Sequence, residues 1–155
     1  MKTYLSNSED ETKRLAHALA LVSSPGDTYA LFGTLGVGKS VFARSFIQSL
    51  TGAKEVPSPT FTLVQTYEAE NFEIYHFDLY RLKSADEIWE LNMEEALYEA
   101  VSLIEWPEKM GGYLPRDIFK ITITAKPDGK RLFQIETTSK EKEKRLQNLP
   151  LKEEK

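Results

Sequence analysis

Gly33-Thr34-Leu35-Gly36-Val37-Gly38-Lys39-Ser40 is a full match to the phosphate-binding pattern G-x-x-x-x-G-K-[ST]. The residue types follow from the chemistry of an anion. Glycines let the backbone curl until successive N–H groups line one small concavity. The Lys39 ammonium can reach β- and γ-phosphates, and the Ser40 hydroxyl can take a position on Mg²⁺. The pattern counts only when a strand enters it and a helix leaves it. Thr28-Tyr29-Ala30-Leu31-Phe32 enters as a short apolar run. Phe42, Ala43, Phe46, Ile47 and Leu50 then recur on one face at helical spacing, and Thr51-Gly52 stops them. With both flanks correct, a chance glycine-rich turn is the weaker account. Gly33 to Ser40 reads as a nucleotide-phosphate site.

The totals bound what surrounds that site. A chain of 155 residues suits one domain with one core, burying about 70% of its unfolded surface. The 41% hydrophobic and 28% charged residues are ordinary for a globular protein. There is no cysteine, which excludes disulfides and Cys-ligated metals and fits a reducing compartment. No apolar run approaches a membrane span, and the first ten residues lack a basic-then-apolar signal pattern. The expectation is a soluble, cytoplasmic protein with no membrane partner. The net charge is −4 and no run of Lys and Arg shares one face, so neither DNA nor RNA is expected as a primary ligand. Any RNA contact falls to a partner.

Along the chain, Ser8-Glu9-Asp10-Glu11 has the form of a capping box before Leu15, Ala18, Leu19 and Val22, and Ser23-Ser24-Pro25-Gly26 ends that helix. His17 within it reads as a helix-surface or half-buried histidine rather than a metal ligand. Pro57 and Pro59 hold Val56–Thr60 extended. Two β-rich runs follow, Thr60–Tyr67 and Phe72–Phe77, and their short connection demands an antiparallel hairpin. Asp86–Leu97 reads as one or two short helices with Ile88, Trp89, Leu91, Met93 and Leu97 facing the core. Ala100–Ile104 is a wholly covered central strand. Phe119–Ala125 and Arg131–Thr137 form a second hairpin around Lys-Pro-Asp-Gly-Lys. The fold expected is α/β: a single domain over residues 1–138 with a mixed, mainly parallel central sheet. Residues 139–155 read as a charged tail, a solvated helix or frayed end.

Two carboxylates fall at strand ends. Asp78 follows the second strand of the first hairpin, where ligands bind in open α/β sheets and where an Asp holds Mg²⁺ beside the loop hydroxyl. The alternative is a helix-capping Asp, but Ser84-Ala85-Asp86-Glu87 already supplies a cap. Glu105 ends the central strand, a natural place to orient or deprotonate an attacking water. His76 reads as a packed or hydrogen-bonded strand residue rather than a catalytic one. Trp106 either flanks the nucleotide or covers the sheet edge.

These residues resemble the small bacterial P-loop ATPases of tRNA threonylcarbamoyladenosine biosynthesis, the TsaE (formerly YjeE) family, over about residues 6–137. The markers are the Gly33–Ser40 unit, Pro57-Ser58-Pro59-Thr60-Phe61, His76-Phe77-Asp78-Leu79-Tyr80-Arg81-Leu82, Asp86–Leu91 and Leu103-Ile104-Glu105-Trp106-Pro107-Glu108. The resemblance implies a compact P-loop NTPase-like α/β domain and ATP and Mg²⁺ as cofactors. It implies hydrolysis supporting threonylcarbamoyl transfer to an adenosine beside the anticodon by a TsaD–TsaB partner complex, with tRNA met only indirectly. It assigns Lys39 and Ser40 to phosphate and metal, Asp78 to the metal side, Glu105 to catalysis and the metal, Ser58 and Thr60 to a switch-like segment, and Trp106 to the nucleotide. The family loop usually carries an acidic residue at the place of Thr34, Ala at Val37 and Thr at Ser40. Ser40 keeps the hydroxyl, and phosphate binding is mostly backbone. Only the local contact of an acidic side chain is lost.

Two other classes use the same loop. A small-molecule kinase would need an Arg-bearing lid, yet Asp86–Glu99 contains no Arg or Lys. A nucleotide-operated binding module would respond to occupancy rather than turnover. Arg81 is a candidate catalytic arginine in cis, or a partner of a carboxylate.

Overall fold

The computed structural model describes residues 1–154. A seven-stranded mixed sheet runs through the molecule: β1 (Lys2–Ser6), β2 (Thr28–Phe32), β3 (Val64–Glu68), β4 (Glu73–Asp78), β5 (Val101–Glu105), β6 (Phe119–Ala125) and β7 (Arg131–Glu136). Its spatial order is β1-β7-β6-β2-β5-β4-β3. The centre, β6-β2-β5-β4, is parallel, and the pairs β3–β4, β6–β7 and β1–β7 at the flanks are antiparallel. Both expected hairpins are therefore present, one on each side of a parallel core.

Alternation along the strands divides the core. Tyr29, Leu31, Ile74, Val101 and Leu103 face α1 (Glu9–Leu21) and α2 (Lys39–Thr51). Tyr75, Phe77 and Ile104 face the other way, with Ile88, Met93 and Ala96. That second layer consists of a 3₁₀ helix (Ala85–Leu91), α3 (Met93–Glu99) and a kinked 3₁₀ stretch (Pro107–Tyr113). Covered on both faces, β5 is buried at every residue, as its apolar composition anticipates.

Four local expectations are revised. The first hairpin strand begins at Val64, not Thr60, because Thr60–Leu63 form a turn closed by Leu63 N–H donating to the Pro59 carbonyl at 2.6 Å. At α1 only half of the capping box forms: Ser8 Oγ accepts the Glu11 N–H, but Glu11 accepts the N–H of Asn7 rather than that of Ser8. The Ser84–Glu87 box is complete. Trp89 is not core. It is 45% exposed against Tyr113, because three residues per turn in a 3₁₀ helix give the inward place to Ile88.

The fourth revision concerns the charged end. Lys140–Gln147 forms a helix, α4, and it is docked rather than solvated. Leu146 and Leu149 lie in the same core as α1 and α2. Arg145 forks onto the buried Asp27, with an NH2–Oδ1 distance of 2.9 Å, and also donates to the Val22 carbonyl. Those Asp27 hydrogen bonds push the Arg145 pKa above its ordinary value. Composition hides this because the contact is made by a few side chains scattered through a polar stretch, chiefly Leu146, Leu149, Leu151 and Arg145. Arg145→Ala leaves Asp27 buried without its charge partner and should cost about 3 kcal/mol, measured by urea unfolding. A chain ending at Thr138 should lose at least as much.

Candidate phosphate and metal site

The loop is built by anchoring its middle and bending its ends. Val37 is buried in the core below α1 and α2, and its N–H donates to the Thr34 carbonyl at 3.2 Å. Arg131, from β7, donates Nε to the Val37 carbonyl at 2.9 Å. Gly33 sits at φ +149°, where a Cβ would lie 2.7 Å from Val37 Cγ1 and 2.8 Å from the Ile123 carbonyl oxygen. Gly38, the residue before α2, is left-handed at φ +113°. No side chain caps α2, and its first turn carries no acidic residue. The unpaired N–H groups and the positive end of the helix dipole are thus left for an external anion.

Strand parity delivers the carboxylates to the same place. In β4, His76 and Asp78 share the face of Ile74; in β5, Glu105 shares the face of Val101 and Leu103. Asp78 and Glu105 are register partners on adjacent parallel strands. They are only 6% and 3% exposed. Asp78 Oδ2 accepts the Thr60 hydroxyl at 2.9 Å and Oδ1 accepts the Tyr80 N–H at 3.1 Å. Glu105 Oε1 accepts the Ser40 hydroxyl at 3.2 Å, and Oε2 lies 2.6 Å from His76 Nε2.

Lys39 donates Nζ to the Gly33 carbonyl at 2.7 Å, and the same ammonium stands 3.5 Å from the Trp106 ring centre. Burial lowers the Lys39 pKa, and Glu105, Glu108 and Asp78 oppose that shift. Trp106 holds a left-handed backbone (φ 60°, ψ 49°), with the Tyr80 ring 5.0 Å away. Among the described residues no group of three or more His, Cys, Asp and Glu could hold a metal by itself. Mg²⁺ needs none, since it takes one or two carboxylates and fills its octahedron with phosphate oxygens and water. Ser40, Asp78 and Glu105 are hard oxygen donors linked directly or through neighbours within one polar patch. They suit that ion.

The structure thus brings Gly33–Ser40, Asp78, Glu105 and Trp106 together. Thr60 joins them through Asp78, and Ser58 joins through a 2.7 Å hydrogen bond to Thr60. Arg81 does not join: its guanidinium lies 4.5 Å from the ring of Phe61, which is 81% exposed. Three contacts escaped the sequence. The His76–Glu105 bond was accessible in principle, because His76 and Asp78 are two residues apart on a strand and share a face. The Tyr80 ring against Trp106 and the Arg131 bond to Val37 offered no local signal; β7 reaches the loop only through the tertiary fold.

A family profile described as "Threonylcarbamoyl adenosine biosynthesis protein TsaE" matches residues 6–133. The chain belongs to the TsaE family. It is 48% identical over 136 residues to the tRNA threonylcarbamoyladenosine biosynthesis protein TsaE of Rickettsia conorii, covering 87% of this chain and 78% of that protein. To the protein of the same name from Bacillus subtilis it is 35% identical over 123 residues, covering 79% and 77%. A crystal structure of Bacillus subtilis YdiB superposes with a TM-score of 0.78 at 27% identity, covering 95% of this chain and 92% of that one. Membership in TsaE carries a role in tRNA threonylcarbamoyladenosine biosynthesis.

The loop geometry of this TsaE member makes one mutational contrast. Gly33→Ala meets both a strained φ and a fixed backbone oxygen, and should lower stability by about 1–3 kcal/mol. Gly36→Ala, with nothing within 4 Å of its Cβ, bears only the φ cost and should lose less. Thermal unfolding without nucleotide measures both.

Proposed function

We propose that this chain is a Mg²⁺-dependent ATPase whose turnover supports threonylcarbamoyl transfer to tRNA by a TsaD–TsaB complex. The observation that carries this reading is the convergence of Lys39 and Ser40 with buried Asp78 and Glu105 at the C-terminal ends of β2, β4 and β5. The loop N–H groups and Lys39 bind the phosphate oxygens, with the ammonium exchanging the Gly33 carbonyl for phosphate. A Mg²⁺ ion held there would supply positive charge against that of the phosphates. Ser40, Asp78 and Glu105 would supply the oxygens that hold that ion. Glu105 would also orient water for in-line attack. Thr60 and Ser58 link the Pro57–Phe61 segment to Asp78, so metal occupancy reaches this switch-like stretch. Trp106 lies against Lys39 and flanks the nucleotide.

The arginine that most such hydrolases need is not supplied by Arg81 in this arrangement. A donated arginine is worth roughly 10³–10⁵ in rate, so turnover should be weak alone and rise with partners. The net charge of −4 supports indirect contact with tRNA. Among the described residues no helix is long and apolar enough to cross a membrane, and a role on tRNA is in keeping with the cytoplasm.

Phosphate release should be slow for the chain alone and rise clearly with TsaD–TsaB. Equal turnover with and without the pair would sink the coupling. Glu105→Ala should lower stimulated release by about 10²–10⁴-fold while ATP binding persists, and Lys39→Ala should weaken binding itself. Nucleoside mass spectrometry of tRNA reads the outcome: modification that survives Glu105→Ala would favour a nucleotide-operated binding module. A phosphorylated acceptor would instead identify a kinase.

A further inference from the structure

We propose that His76 is a positioning residue for Glu105, fixing the carboxylate so that Oε1 is presented to the phosphate loop. This rests on the hydrolytic reading of Glu105. An ionised carboxylate only accepts hydrogen bonds, so His76 must donate from Nε2 across the 2.6 Å contact. Nδ1 is buried without a hydrogen-bond partner among the described residues. An unpaired buried polar atom costs about 1–3 kcal/mol. The imidazole is 2% exposed, and its strand neighbours include Ile74, Phe77 and, across the register, Leu103. A leucine would pack there with no such penalty. Packing therefore does not account for a histidine at this position. The bond to Glu105 does.

That bond becomes decisive when the site is loaded. The terminal torsion of a glutamate is broad and needs outside restraint. Here Glu105 accepts from two side chains, Ser40 and His76. If Ser40 takes Mg²⁺, as the proposed function assigns it, its hydroxyl would leave Glu105, and His76 would be the remaining side-chain hydrogen bond on that carboxylate, at Oε2.

The test is phosphate release by the chain in complex with TsaD–TsaB. His76→Leu should lower kcat by about 10–100-fold with the KM for ATP unchanged. His76→Gln carries an amide N–H to about the reach of Nε2 and should recover most of the turnover. His76→Asn stops near the place of Nδ1 and should not. In a Glu105→Ala background, His76→Leu should cause no further loss, because its effect acts through that carboxylate. Wild-type turnover in His76→Leu, equal loss in the Gln and Asn variants, or an additive loss in the double variant would each overturn the proposal. If His76→Leu fails to fold, the Gln–Asn contrast still decides. Full activity in Glu105→Ala would sink the hydrolytic reading itself. Loss in Glu105→Ala with full activity in His76→Leu sinks only the role of His76.

Discussion

Asp78 and Glu105 are two carboxylates buried side by side on adjacent parallel strands, and much of the surrounding structure compensates for them. A buried carboxylate is tolerated only where hydrogen bonds or opposite charge replace its hydration. Thr60 and the Tyr80 N–H answer Asp78, while Ser40 and His76 answer Glu105. The N-terminus of α2 adds its positive end above them. Lys39 is the one buried lysine among the described residues, and burial pulls its pKa down against the pull of three acids. Paired carboxylate oxygens of this kind are what a hard divalent cation takes as ligands.

The loop itself depends on elements far away in sequence. Val37 is held from below by the core and at its carbonyl by Arg131, and Arg131 is in place because β7 turns back antiparallel on β6. Gly33 is squeezed between Val37 and the Ile123 backbone, so the tip of β6 limits the path of the loop. The antiparallel flank of the sheet is thus a brace for the phosphate loop. On the other side, the turn at Thr60–Leu63 interrupts the expected strand and lets Thr60 reach Asp78. A longer strand would have carried that hydroxyl away.

Much of this fold was legible because its signals are local. The hairpins follow from short connections, α2 from the spacing of Phe42, Phe46 and Ile47, and β5 from a run that is apolar but for Ser102. Ser84 and Glu87 form their cap within four residues. Misreadings arose where a few side chains of a polar stretch make the deciding contact. Residues 140–147 look solvated until Leu146 meets the α1–α2 core and Arg145 meets Asp27. Trp89 looks like core until the 3₁₀ geometry turns it outward.

By itself, then, the sequence determined a strand–loop–helix phosphate site, a covered parallel centre, and two acids at strand ends, together with the family markers. These are properties of spacing along one chain segment, and covalent connectivity enforces them. Tertiary structure alone decided that Asp78 and Glu105 are register partners, that His76 holds Glu105, that Arg131 braces Val37, and that Arg81 stands apart on Phe61. Those contacts join residues up to 94 positions apart, and strand order, register and twist determine which of them meet. The helical C-terminus belongs with them: its docking depends on a buried Asp27 that gains its charge partner only once α4 folds back.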